Sequence, residues 1–89
     1  MEKSFQERAE LLMKARYEAD SIVAAIMFHR RYHNLSREEL AEKSGVEVSV
    51  ITKMEDIGIC PDFCVLIMIV RALDLTLTVT NRKYDISDL

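Results

Sequence analysis

The chain has 89 residues, of which 49% are hydrophobic and 30% charged, and its formal net charge at pH 7 is −3. This length fits one hydrophobic core and excludes an enzyme with a separate substrate domain. The composition excludes intrinsic disorder, and the acidic balance argues against general polyanion binding while leaving a local basic face open. The longest apolar run, from Phe63 to Val70, is too short for a membrane span. Because no export signal is recognisable, we expect a cytoplasmic protein with no membrane partner, whose two cysteines remain thiols.

The first predicted element is an N-terminal helix over residues 1–20. Ser4 and Glu7 have the spacing of a capping box, and the apolar residues that follow recur at the helical period. We expect a break near Asp20 and Ser21, where two polar residues interrupt that pattern.

A helical core is predicted next, over residues 21–74. A second capping box, Ser36 with Glu39, opens a new helix, and Asp62 can cap another that runs to about Leu73. This last helix has more apolar surface than one core needs. We expect the side chains that face the core to be Leu66, Ile69, Val70 and Leu73. Val65, Ile67 or Met68 should then be partly exposed to solvent, unless the N-terminal helix covers them.

The period changes after the last helix. Apolar residues alternate with threonine from Leu75 to Thr80, which predicts a strand over residues 75–81, followed by a tail over 82–89. A lone strand has unpaired backbone groups, so we expect a homodimer in which the strands of two copies pair; the alternative is a hairpin within the chain. The residues expected at the dimer interface are Leu75, Leu77, Thr78 and Val79.

The stretch from Leu35 to Glu55 has the spacing of two short helices that cross through a tight turn. Ala41 provides a small contact residue, and Gly45 follows it as the corner of the turn. Val46, Ile51 and Met54 then anchor the second helix in the core. The outer side of that helix would enter the DNA major groove. The candidate DNA-contacting residues are Arg37 on the first helix and Glu47, Val48, Ser49, Thr52 and Lys53 on the second.

These features resemble the Cro/repressor-type (XRE) helix-turn-helix family over roughly residues 22–75. Arg30 stands six positions before the capping residue, Glu55 lies near the end of the second helix, and Pro61 precedes the next helix. The ending "RALD", at residues 71–74, is also similar to the family's. The resemblance implies that Arg30 and Glu55 form an internal salt bridge, and that the chain binds operator DNA.

The sequence also departs from the family. Arg37 replaces the usual glutamine, and Glu47 and Val48 replace the usual serine cap and polar base reader. Glutamate repels phosphate, and valine can read only a thymine methyl group. The loop after Glu55 is "DIG", which is more acidic than the family's. The alternative to specific DNA binding is therefore a motif retained only as a packing unit.

The two ends resemble HigA-like antitoxins of bacterial toxin–antitoxin modules. That resemblance implies a dimer that represses its own operon and a second surface that holds a small RNA-cleaving toxin. The alternative function is a protein-interaction module, a toxin-neutralising antitoxin whose DNA binding is weak or absent. The sequence as a whole predicts an all-α chain: a repressor-like five-helix domain with an extra N-terminal helix and a C-terminal strand.

No enzyme, metal site or cofactor is predicted. His29 and His33 are four residues apart, as are Cys60 and Cys64, so the sequence allows either a tetrahedral zinc site or ordinary buried thiols. We favour the thiols, because the cysteine pair straddles a proline and a helix cap. No nucleophile–base pattern or glycine-rich phosphate loop indicates catalysis.

Overall fold

The computed structural model describes residues 2–78 and forms four α-helices in that range. These are α1 (Phe5–Tyr32), α2 (Arg37–Ser44), α3 (Val48–Ile57) and α4 (Phe63–Ala72). The prediction of an all-α fold is confirmed for these residues. The predicted five-helix domain with an extra N-terminal helix is wrong for them: four helices are present, because the N-terminal helix and the first helix of the core are one continuous element, α1. Among residues 2–78, no helix combines the length and apolar character that crossing a bilayer requires.

Helix α1 begins where the sequence predicted. The Ser4 hydroxyl accepts a hydrogen bond from the Glu7 amide at 3.1 Å, and the Glu7 carboxylate accepts one from the Ser4 amide at 3.1 Å. The predicted break near Asp20 and Ser21 is wrong, because α1 continues through both residues. Each is accommodated within the helix. The Ser21 hydroxyl donates to the carbonyl of Tyr17 at 3.1 Å, and Asp20 forms an ion pair with Arg16, one turn earlier.

The core lies where the C-terminal third of α1 packs on α3, and where α2 packs on both α3 and α4. Five side chains are almost completely buried there: Ile26, Leu40, Ile51, Met54 and Ile69. The predicted faces of α4 are confirmed, since Leu66, Ile69, Val70 and Leu73 are buried. Met68 is exposed, and Val65 and Ile67 are half-buried.

Residues 75–78 do not form the predicted strand. Residues 75–78 have no strand structure, although their alternation is visible: Leu75 and Leu77 pack against the core, and Thr76 and Thr78 are exposed. A strand needs a neighbour for its backbone hydrogen bonds, and no described segment of the chain offers one. Residues 79–81 of the predicted strand and the predicted tail over 82–89 lie outside the described residues.

Candidate nucleic-acid interface

A tight turn at Gly45 joins α2 to α3. Gly45 ends α2 in the left-handed region, at φ 79°, and its amide donates to the carbonyl of Ala41 at 2.9 Å. The next amide, that of Val46, donates to the same carbonyl at 3.2 Å. Glycine adopts this backbone conformation without the steric cost that a Cβ would add. The turn lets α3 cross α2, and Ala41, which is half-buried, lies at the base of the turn.

The apolar anchors that the spacing predicted are buried. Ile51 and Met54 on α3 have no exposed surface, and Val46 in the turn is 7% exposed. Because these positions hold one side of α3 in the core, the opposite side is directed away from it. That outer side carries Val48, Ser49 and Lys53, all exposed, and Thr52, which is half-buried.

The beginning of α3 is weakly capped. Glu47 occupies the capping position, but its side chain makes no capping hydrogen bond. Serine or threonine at this position would accept a hydrogen bond from the first turn of the helix. The exposed carboxylate of Glu47 therefore adds negative charge to the start of the outer face without closing the helix end.

The structure brings Arg30 and Glu55 together in a bidentate ion pair. Arg30 Nε donates to Glu55 Oε2 at 2.8 Å, and Arg30 Nη2 donates to Glu55 Oε1 at 2.9 Å. Arg30 Nη1 also donates to the carbonyl of Leu35 at 2.9 Å. The Glu55 side chain has no exposed surface and that of Arg30 is 10% exposed. This pair ties α1 to the end of α3 and to the loop before α2.

Arg37 extends this ion pair into a network. Its Nε donates to Glu55 Oε1 at 2.8 Å, and its Nη2 donates to Asp56 Oδ1 at 2.7 Å. A third bond joins Arg37 Nη1 to Asp56 Oδ2 at 3.2 Å. The sequence prediction placed Arg37 against DNA; the structure places its guanidinium on two carboxylates of α3. The sequence does not predict the Asp56 partner: it assigns Asp56 to a loop after Glu55, whereas the structure places Asp56 in the last turn of α3.

The network shifts the pKa values of its acids. Burial opposes the charged form of Glu55, but the hydrogen bonds from Arg30 and Arg37 outweigh it and hold the pKa of Glu55 below its ordinary value. The hydrogen bonds from Arg37 lower the pKa of Asp56 in the same way. Both carboxylates are therefore charged at neutral pH, and the network is an assembly of two cations and two anions.

The cysteines are not buried. Cys60 and Cys64 are free thiols and both are exposed, so the prediction of buried thiols is wrong. They flank the exposed beginning of α4, where the chain leaves the core before Leu66. His29 and His33 stack with ring centroids 6.5 Å apart. Within residues 2–78, no group of three or more potential metal ligands comes together.

The chain was compared with family models, with curated proteins and with solved structures, and none of the three comparisons finds a match.

Proposed function

We propose that this protein is a sequence-specific DNA-binding regulator, with a repressor-like helix-turn-helix formed by α2, Gly45 and α3. The observation that carries the proposal is the turn itself. A left-handed glycine joins two short helices, and the second helix is anchored on one side by Ile51 and Met54 while its other side is exposed. A helix presented in this way fits the major groove of DNA.

The residues on the outer side of α3, and Glu47 before it, have defined roles in this proposal. The hydroxyl groups of Ser49 and Thr52 hydrogen-bond to base edges, and Val48 contacts a thymine methyl group. Lys53 neutralises phosphate, because it is exposed on the same side of the helix. The carboxylate of Glu47 repels phosphate, so it keeps the start of α3 away from the DNA backbone.

Arg37 takes a different role from Lys53. Its guanidinium already makes three hydrogen bonds to Glu55 and Asp56, so it fixes the start of α2 against the end of α3. In doing so it neutralises part of the negative charge of α3 near the DNA-facing side. Arg37 therefore supports the interface by holding the two helices at a fixed angle.

Fluorescence anisotropy with the DNA upstream of the coding sequence tests the proposal. Lys53→Ala should weaken binding and reduce the slope of log affinity against log salt by about one, as expected when one phosphate contact is lost. The matched control is Lys14→Ala, which removes an exposed lysine from α1. Absence of salt-dependent binding by the folded protein, or equal losses in the two variants, would refute the DNA interface.

A second function, a toxin-neutralising interaction module, is favoured by one observation. Helices α2 and α3, with Glu47 between them, carry six acidic residues and three basic ones (residues 37–57). This balance suits a basic protein partner better than a polyanion. A small RNA-cleaving toxin encoded by a neighbouring gene is the proposed partner. Co-expression of the two genes should relieve growth arrest even with Lys53→Ala, which separates this function from DNA binding.

A further inference from the structure

The N-terminal half of α1 carries an apolar stripe formed by Phe5, Ala9, Leu12 and Met13, of which only Ala9 is half-buried and the other three are exposed. Phe5 is 88% exposed, and Leu12 and Met13 are each 70% exposed. At 100° per residue, Phe5, Ala9 and Leu12 lie on the same face of α1 as the residues that it buries in the core. The spacing from Phe5 through Leu12 to Arg16 alternates four, three and four, which is typical of a helix that packs lengthwise on another helix.

A second apolar patch lies beside α1, at the end of α3. Ile57 is 63% exposed and Ile59 is 53% exposed, and they flank Gly58. Arg16 Nη2 donates to the Gly58 carbonyl at 3.0 Å, so this patch is next to Arg16 on α1. Arg16 follows Phe5 by eleven residues, or roughly 16 Å along the helix. The stripe and the patch are therefore held at a fixed separation by one continuous helix.

We propose that two copies of the chain associate through antiparallel pairing of their α1 stripes. The pairing aligns Ala9 of each copy with Leu12 of the other, so a small side chain faces a large one on both sides of the two-fold axis. The same alignment brings Phe5 of each copy to the level of Arg16 in the other. There Phe5 packs on Ile57 and Ile59, and every contact is made twice, as an isologous interface requires.

The antiparallel direction follows from what α1 already buries. Further along the helix, the same face contributes Val23 and Ile26 to the core of its own subunit. In a parallel pair, helices α2 to α4 of both copies would lie on this face at the same end of α1, where they would overlap. In an antiparallel pair, helices α2 to α4 of the two copies lie at opposite ends, and the exposed N-terminal half of each α1 covers that of the other.

Helix stability favours a second copy as the occupant, and the charges beside the stripe do not oppose it. The positions that flank the stripe are Gln6, Arg8 and Ala15, so the approach of two copies sets no acid against an acid there. Glu7 and Glu10 lie on the opposite side of the helix by the helical period. Residues 5–18 of α1 include no buried residue, and a helical segment without tertiary packing is marginal in water, so the partner helix supplies contacts that this half of α1 lacks. The association needs nothing from residues 75–78 and does not rest on DNA binding.

Sedimentation velocity over a concentration series tests the pairing. The wild-type chain should be dimeric at micromolar concentrations, and Leu12→Glu should weaken the dimer at least tenfold because it places two charges at its centre. Leu11→Glu is the matched control: it adds the same charge to the same helix, at an exposed position about 100° from Leu12. A monomeric wild type, or equal weakening by the two variants, would overturn the proposal.

Two further variants test the position of Phe5 and the direction of pairing. Ile59→Glu should also weaken the dimer, although it lies outside α1; an unchanged dimer would overturn the packing of Phe5 on this patch. In Gln6→Cys, a short bismaleimide should link the introduced thiol to Cys60 of the other copy, which peptide mapping detects. Links only between the two introduced thiols would show a parallel pair instead. Circular dichroism verifies that each variant retains its helices.

Discussion

Removal of the Glu55 carboxylate should be the most damaging single change to the fold. Its side chain is completely buried and accepts three hydrogen bonds, two from Arg30 and one from Arg37. In Glu55→Ala, Arg30 keeps only its bond to the Leu35 carbonyl, and its charge stays in a site that is 10% exposed. Arg37 is less affected, because Asp56 still accepts two of its bonds.

The size of the effect follows from the unpaired arginine. Breaking a buried ion pair by removing one partner costs roughly 3–5 kcal/mol, since the remaining charge has lost both water and its counterion. A small domain has a free energy of unfolding of about 5–15 kcal/mol, so Glu55→Ala should remove a large share of it. Replacing both residues, in Arg30→Leu with Glu55→Leu, leaves no buried charge of this pair and should cost less than the two single changes added together.

Urea denaturation of the wild type, Arg30→Leu, Glu55→Leu and the double variant measures this coupling as a thermodynamic cycle. We expect a coupling free energy of a few kcal/mol between Arg30 and Glu55. The cycle between Arg37 and Glu55 should give a smaller coupling, because Arg37 is less buried and has a second carboxylate partner. Strictly additive losses for Arg30 and Glu55 would refute the assignment of the pair as a buried structural link.

The remaining predictions concern pH, the proposed DNA interface and the C-terminal segment. Because the pKa values of Glu55 and Asp56 are lowered on folding, their contribution to stability is complete at neutral pH and is lost as pH falls below about 4. Chemical denaturation at a series of pH values should show this loss. In Glu55→Gln the free energy of unfolding should depend less on pH over the same range. Asp56→Asn should release Arg37 toward phosphate and steepen the salt dependence of DNA binding by about one, and an unchanged slope would leave Arg37 a purely structural role. Glu47→Ser should stabilise the fold by about 1 kcal/mol, because serine supplies the capping hydrogen bond that α3 lacks. Thermal unfolding measures this gain, and no gain would show that the Glu47 carboxylate already stabilises the start of α3 as well as a cap would. Thr78→Pro should leave the dimer intact, and a shift to monomer in sedimentation would instead favour association through the C-terminal segment.

The local structure of this protein could be predicted from its sequence, because the signals act between residues a few positions apart. The two capping boxes determine where α1 and α2 begin, and the left-handed requirement at Gly45 determines the turn. The inward faces of α3 and α4 followed from the helical period, since residues three and four apart share a side of a helix. The pairing of Arg30 with Glu55 came instead from a family resemblance, and no local rule would have found it.

Tertiary structure decided the features that depend on distant partners. Asp20 and Ser21 could have ended a helix, but nothing in the tertiary packing requires a break there, so α1 remains continuous. Residues 75–78 alternate as a strand would, yet a strand forms only where another segment accepts its hydrogen bonds. The sequence alone leaves Arg37 available to contact DNA. In the fold, Asp56, nineteen residues later, lies 2.7 Å from its guanidinium. A sequence pattern shows what each residue can do, whereas the charge or backbone group that the fold places beside it decides what it does.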